Sequence, residues 1–266
     1  MVEAQETLMR IYIPTKGRTH KQVTLSNLPR SFREQVTIVC PEKEALWHQR
    51  SYPTCEVLVQ PDPKMGISEK RKWIVDTTPY ERIVMLDDDL RFAVRREDDP
   101  GKFRPAVEKD IIVAFSTLDA ILDGQTPHAG FAARGGSIGE SAKKGGWQEG
   151  KRQMYVLGYH IPTVREHAVF GRLSTHEDMD VTLQLLTKGF PNLVNFTFVV
   201  DQKFGNPGGC TDERTVEINN ADSLALAALH PGFVRTTKKE YTGSTPRVEV
   251  VCAWVKALEY GLSFRK

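Results

Sequence analysis

Ile83-Val84-Met85-Leu86-Asp87-Asp88-Asp89 joins four apolar residues directly to three carboxylates. The apolar run is short enough for a strand buried on both faces, and strands of that kind belong to mostly parallel sheets covered by helices. Three adjacent acids at its end repel one another unless positive charge shares the site. Carboxylate oxygens are also what hard divalent ions such as Mg2+ or Mn2+ prefer. In an open α/β sheet, ligands bind beyond the carboxyl ends of the strands, where these acids fall.

Upstream, Arg10-Ile11-Tyr12-Ile13-Pro14 reads as a strand stopped by proline and followed by the polar turn Thr15-Lys16-Gly17-Arg18. Strands are also predicted at 36–40 and 56–60, with helices at 42–50 and 68–77 between strands. This alternation predicts an α/β fold with a mostly parallel sheet flanked by helices. Downstream, residues 91–109 are crowded with charge and broken by Pro100-Gly101 and Pro105, so they read as a loop; 110–122 reads as a buried helix. Residues 131–153 carry six glycines and five basic residues (Arg134, Lys143, Lys144, Lys151, Arg152) against Glu140 and Glu149, and read as a mobile cationic loop. Ser174 and Glu177 have the spacing of a capping box for a helix over 174–190. A strand over 193–200, a Gly- and Pro-rich loop at 203–213 and helices at 221–229 and 249–260 complete the pattern.

At 266 residues and 40% hydrophobic content the chain suits one large domain, residues 10–266, after a polar extension over 1–9. Lys plus Arg number 36 against 34 acids, so affinity for nucleic acid would have to come from a local patch. Cys40, Cys55, Cys210 and Cys252 form no metal-binding or disulfide-like spacing, which suits a reduced cytoplasm. No apolar run approaches the roughly 20 residues of a membrane span, so the chain reads as soluble.

Four segments, in order, resemble the glycosyltransferases of GT-A fold, a Rossmann-like architecture, and in particular the inverting family 2. They are Ile13–Arg18, the stretch Gly66-Ile67-Ser68-Glu69-Lys70-Arg71-Lys72-Trp73-Ile74, Asp87–Asp89, and Glu177-Asp178-Met179-Asp180 about 90 residues later. Lys72 stands where that family usually has asparagine. The resemblance implies a nucleotide-sugar half (10–90) and an acceptor half (91–266). It implies a UDP-sugar donor held by Pro14, Thr15, Lys16, Arg18, Gly66, Arg71, Asp87 and Asp88. Mn2+ or Mg2+ would sit on Asp87 and Asp89, with Asp178 as the base of an inverting transfer.

The chain is similar, more narrowly, to the phage glycosyltransferases associated with TET/JBP dioxygenases. That implies an acceptor hydroxyl on a hydroxymethylated pyrimidine, 5-hydroxymethylcytosine foremost, in double-stranded DNA, and the host cytoplasm as the site of action. Arg134, Lys143, Lys144, Trp147 and Glu177 are then candidate acceptor contacts, and Phe131 and Tyr155 candidate stacking residues. Alternatively the loop 131–153 is a lid over the donor that touches no DNA. Arg95-Arg96 and Lys238-Lys239 read as solvated faces, and His176 as a polar residue at a helix start. Three other functions share these features: transfer to a small molecule or saccharide, nucleotidyl transfer, and a non-catalytic binding module. A nucleotidyltransferase usually shows a glycine-rich loop after its first strand, and Thr15–Arg18 has one glycine.

Overall fold

The computed structural model describes residues 9–202, 215–240 and 245–265. Among these the chain runs β1 (Arg10–Pro14), α1 (Val23–Asn27), β2 (Val36–Cys40), α2 (Glu42–Ser51), β3 (Glu56–Val59), α3 (Ile67–Thr77) and β4 (Arg82–Leu86). It continues through β5 (Leu90–Arg95), β6 (Phe103–Pro105), α4 (Glu108–Ile121), β7 (His128–Ala133), α5 (Glu140–Lys143), β8 (Trp147–Glu149), β9 (Val156–His160) and α6 (Ile161–His167). It ends with α7 (Glu177–Thr187), β10 (Asn192–Gln202), α8 (Val216–Leu229), β11 (Val234–Lys239), β12 (Arg247–Cys252) and α9 (Trp254–Phe264).

The main sheet has the order β3-β2-β1-β4-β9-β7-β10-β5-β6, with β8 paired to β10. β3, β2, β1 and β4 run parallel, and β9 and β5 are antiparallel to their neighbours. From β1 the chain builds outward through β2 and β3, then returns to place β4 on the other side of β1. That reversal is the crevice where open α/β sheets bind ligands, and Thr15–Arg18 and Asp87–Asp89 both leave it.

Alternation along the strands supplies both faces. Ile11, Ile13, Ile38, Val84 and Leu86 pack with Leu25 of α1 and Phe115 and Leu118 of α4, while Tyr12, Ile83, Met85 and Tyr159 pack with Ile74 of α3, Val164 of α6 and Leu185 of α7. Helix α7 is apolar on a second side as well. Its Met179, Leu183 and Leu186 hold the C-terminal unit through Leu226, Val234, Ala257 and Leu258. A helix covered on two sides carries buried residues all round, as α7 does.

Several sequence expectations change. Residues 90–95 and 103–105 form strands despite their charge, because Leu90, Phe92 and Ala93 turn inward against β10 while Arg91 faces out. Arg95, expected on a solvated face, is buried and donates to the carbonyls of Phe196, Pro100 and Ser137. The stretch 131–153 holds the end of β7, a 3-10 turn, α5 and β8, and Phe131 is fully buried in the core rather than offered to a base. Residues 249–252 extend β12, and the last helix begins only at Trp254. Met9, assigned to the extension, is buried. The loop at 203–213 lies outside the described residues, as does Cys210; Cys40, Cys55 and Cys252 are free thiols.

Candidate active site

At the end of β4 the backbone of the three aspartates is fixed first. The Thr24 amide donates to the Asp88 carbonyl at 3.1 Å, and the Asp87 amide to the Tyr155 carbonyl at 3.0 Å. Their side chains then diverge. Asp88 turns inward, accepting from Thr15 Oγ1 at 2.5 Å and from Arg18 Nη1, which also reaches Asp89 Oδ2 at 3.0 Å. Burial raises the Asp88 carboxyl above its usual range against the pull of Arg18, and pushes Asp89 up to about 6. Asp87 faces the crevice, with Oδ1 2.6 Å from Arg71 Nη2 and Oδ2 3.1 Å from Gln202 Nε2.

Arg71 is presented by α3, whose start is organised by Glu69 accepting the Gly66 amide at 3.0 Å. The helix turns two of its basic residues inward: Lys70 Nζ donates to the Thr15 carbonyl at 2.8 Å, and Arg71 bridges Asp87 and Glu177. Lys72, at the position where the resemblance departs, pairs with Asp76 on the outside.

The expected Ser174–Glu177 capping box does not form. The N-cap of α7 is His176, in the left-handed region at φ 60°, and the Glu177 carboxylate accepts from Arg71 instead of the helix start. The turn is held by α8: Asp222 accepts from the Thr175 amide and hydroxyl, and His176 Nε2 lies 3.0 Å from Ser223 Oγ. Tyr155 and His176 are the two non-glycine residues with positive φ among those described. Both line the same cleft of about 230 Å3, together with Arg71, Asp87, Arg152 and Asp178. Strained backbone of this kind persists where the surroundings over-determine it, and it concentrates at functional sites.

Asp178 differs from the other acids. Its carboxylate faces the cleft with Arg152 3.8 Å away. The structure thus brings Arg71, Asp87, Glu177 and Asp178 together, with Thr15, Arg18, Asp88 and Asp89 behind them. Pro14 is buried at the end of β1, Lys16 is half-buried in the turn after it, and Gly66 caps α3. Of the expected acceptor contacts, Glu177 is buried against Arg71, whereas Arg134, Lys143, Lys144 and Trp147 do not line the cleft. Lys143 pairs with Glu140, and Arg134 approaches Asp201 at 3.6 Å. Tyr155, expected as a stacking residue, lines the cleft, as do Arg152, His176, Gln202 and Asn219, which are not among the site residues expected from the sequence. For Gln202 no local signal exists, since its place beside Asp87 follows from the pairing of β10 with β5.

Residues 9–209 match the family of TET-Associated Glycosyltransferases. The chain belongs to this family. It is therefore a glycosyltransferase, and its sheet is that of the GT-A fold. Two curated relatives, the Beta-glucosyl-HMC-alpha-glucosyl-transferases of Enterobacteria phages T6 and T2, are each 23% identical over 234 residues, covering 85% of this chain and 81% of theirs. Among solved structures, glucosyl-3-phosphoglycerate synthase from Mycobacterium tuberculosis, in complex with Mn2+, UDP and phosphoglyceric acid, superposes with a TM-score of 0.53 at 10% identity, over 92% of this chain and 88% of that one. S. aureus TarS 1-349 in complex with UDP-GlcNAc gives 0.51 at 13% identity, over 83% of this chain and 66% of that one, so about a third of the TarS chain lies outside the match. At such identities the shared property is the fold.

Among the described residues no group of three or more His, Cys, Asp or Glu side chains is placed to hold a metal, and no helix is long and apolar enough to cross a membrane. A cation completed by substrate phosphates needs only one or two carboxylates. The residues present fit that case, because the buried Asp89 Oδ1 has no hydrogen-bond partner among the described residues.

Proposed function

We propose that this glycosyltransferase moves a sugar from a UDP-sugar, with inversion, to the hydroxymethyl oxygen of a modified pyrimidine in phage DNA, foremost 5-hydroxymethylcytosine, in the host cytoplasm. The observation that carries this reading is the division of labour among the acids. Asp87, Asp88, Asp89 and Glu177 each meet an arginine at hydrogen-bond distance, while the Asp178 carboxylate stands in the cleft with its nearest guanidinium 3.8 Å away. A base must reach the acceptor proton and be able to take it, and among these acids Asp178 is the one that lines the cleft with no arginine at hydrogen-bond distance.

In the reaction the acceptor hydroxyl gives its proton to Asp178 as its oxygen bonds to the anomeric carbon. The bond from that carbon to the diphosphate breaks on the opposite face, releasing UDP. Asp87 and Asp89 would hold Mn2+ or Mg2+, which when bound offsets the charge growing on the diphosphate. Arg71 keeps Asp87 aimed at the crevice, and Thr15, Lys16, Arg18 and Gly66 shape the nucleotide end. Arg152, exposed at the rim, offers a cation to an acceptor phosphate. The fold shared with structures that hold UDP and UDP-GlcNAc supports the donor, and the HMC in the names of the phage relatives supports the acceptor.

Those names also favour a second acceptor, a glucose already attached to the base. Incubating hydroxymethylcytosine duplex and its β-glucosylated form with UDP-sugars, then weighing the nucleosides and reading the anomeric coupling by NMR, decides between the two. Retained configuration excludes the single displacement. Asp178→Asn is expected to leave UDP-sugar binding and fold intact while lowering transfer by about 10²–10⁴-fold; full turnover by that variant rules out Asp178 as the base.

A further inference from the structure

β11 and β12 form a two-stranded ribbon of their own, separate from the main sheet and beyond the residues that match the family. Its register pairs Val234 with Cys252, Thr236 with Val250 and Lys238 with Val248 on one face, and Arg235 with Val251, Thr237 with Glu249 and Lys239 with Arg247 on the other. The first face is inward and packs through Val234, Val250 and Cys252 on the C-terminal core. The second is turned to solvent: Arg235, Thr237, Lys239 and Arg247 are exposed on it. It carries three cations and one acid, Glu249, which pairs with Lys239 at 2.6 Å. For a chain with a net charge of only +2, this is a local concentration of positive charge.

The ribbon is rooted at the cleft. Asn220 of α8 accepts the Val248 amide at 2.8 Å and donates to the Pro246 carbonyl at 2.9 Å, and its neighbour Asn219 lines the cleft. Ser223 Oγ donates to the Val248 carbonyl and also meets His176 Nε2, so one hydroxyl ties the ribbon to the turn that precedes Asp178. Cys252, at the foot of β12, lies close enough to Arg152 and Asp178 for their charges to act on its thiol.

We propose that the outward face of the β11–β12 ribbon, through Arg235, Lys239 and Arg247, binds the phosphates of the DNA duplex flanking the modified base. This rests on the DNA acceptor proposed above. Four residues of strand separate Arg235 from Lys239 by about 13 Å, close to the ~12 Å width of the major groove, so the two ends of the face reach opposite walls of it. Arg, Lys and Thr are the side chains that make sequence-independent phosphate contacts. Val251 is the lone apolar side chain on this face, too little for insertion into a membrane surface. The ribbon grips the flank, leaving the cleft free to take a base swung out of the stack.

The test measures the salt-dependent affinity of the full chain for a labelled hydroxymethylcytosine duplex. Arg235→Gln with Arg247→Gln is expected to weaken binding at least about tenfold and to lower the slope of log K against log salt by about two. KM for duplex should rise while transfer to the free hydroxymethyl nucleoside stays unchanged. Glu249→Gln should tighten duplex binding about threefold, a gain that misfolding cannot mimic. Unchanged affinity and slope in the double variant overturn the ribbon's role while leaving the acceptor assignment standing. Absence of both transfer to and salt-dependent binding of duplex by the unaltered chain overturns the acceptor assignment and the ribbon's role with it.

Discussion

Two sides of one cleft treat their carboxylates in opposite ways. On the donor side, Asp87, Asp88, Asp89 and Glu177 share two arginines, Arg18 and Arg71, and the network is braced by Thr15 and Gln202. On the acceptor side, Asp178 meets no such partner and is carried on a helix whose first turn starts from a strained residue. A buried charge is tolerable only when it is matched, so the donor side is rigid by electrostatic necessity. The Asp178 carboxylate stays open to the cleft because the groups around its turn meet backbone and imidazole atoms rather than the carboxylate.

The largest effect should come from breaking the rigid side. Arg71 is buried between Asp87 and Glu177, which keep it protonated well above the usual guanidinium range despite the burial. Arg71→Ala removes the guanidinium against which Glu177 is buried and is expected to cost about 3–5 kcal/mol in urea unfolding. Arg71→Met with Glu177→Met removes both charges and should recover most of that stability without restoring transfer. A loss under about 1 kcal/mol for the single variant means the pair is solvated, and the contrast between the two sides disappears.

The same contrast governs what could be read from the chain. β1, β2, β3 and β4 were legible because each is a short apolar or β-branched run stopped by proline, polar turn or acid, and the crevice between β1 and β4 follows from their order. Arg71 and the three aspartates were legible as a set, but their mutual neutralisation was not: Arg18 and Arg71 reach them across 70 and 16 residues of chain. The charged stretch 91–105 hid two strands because only alternate residues needed to be apolar, and β10, far away in sequence, supplied the pairing. Glu177 was misread since a helix-start acid with Ser three residues earlier has a local partner in principle, and a buried arginine outcompeted it. The ribbon's basic face was invisible for a similar reason: Lys238 and Lys239 are adjacent in sequence but point to opposite faces.

Toward the opposite end of the sheet from the cleft, a buried ionisable group with no opposite charge offers a further contrast. His128, fully buried in β7, has Nε2 3.2 Å from the Phe190 carbonyl and no partner for Nδ1 among the described residues. Burial lowers its pKa to about 4, with the Phe190 carbonyl opposing the shift. Since the folded value lies below the unfolded one, the fold keeps this imidazole neutral. Its contribution is complete above the unfolded pKa, near 6.5, and is lost as the pH falls toward 4. At the acid limit the loss approaches about 3 kcal/mol. Unfolding free energies measured from pH 7 to 4 should therefore fall less steeply for His128→Gln, by about one proton's worth of slope. Identical slopes mean that His128 is reached by water.

The smallest effect probes the strain on the acceptor side directly. His176 sits at φ 60° and its ring meets Ser223. His176→Ala and His176→Gly both delete the imidazole, so the lost contact with Ser223, worth about 1 kcal/mol, is common to them. They differ in the left-handed backbone, which costs an L-residue roughly 1–2 kcal/mol and glycine very little. Glycine's greater freedom in the unfolded chain offsets part of this, by about 0.4–1 kcal/mol. The glycine variant should still unfold with about 0.5–1 kcal/mol more stability than the alanine variant. Equal stabilities would mean that the turn relaxes once the ring is gone, so that the imidazole and α8 impose the strain. A difference of the expected size places the strain in the backbone path itself, where the packing of α7 against the sheet and the C-terminal unit holds Asp178 in the cleft whatever side chain occupies position 176.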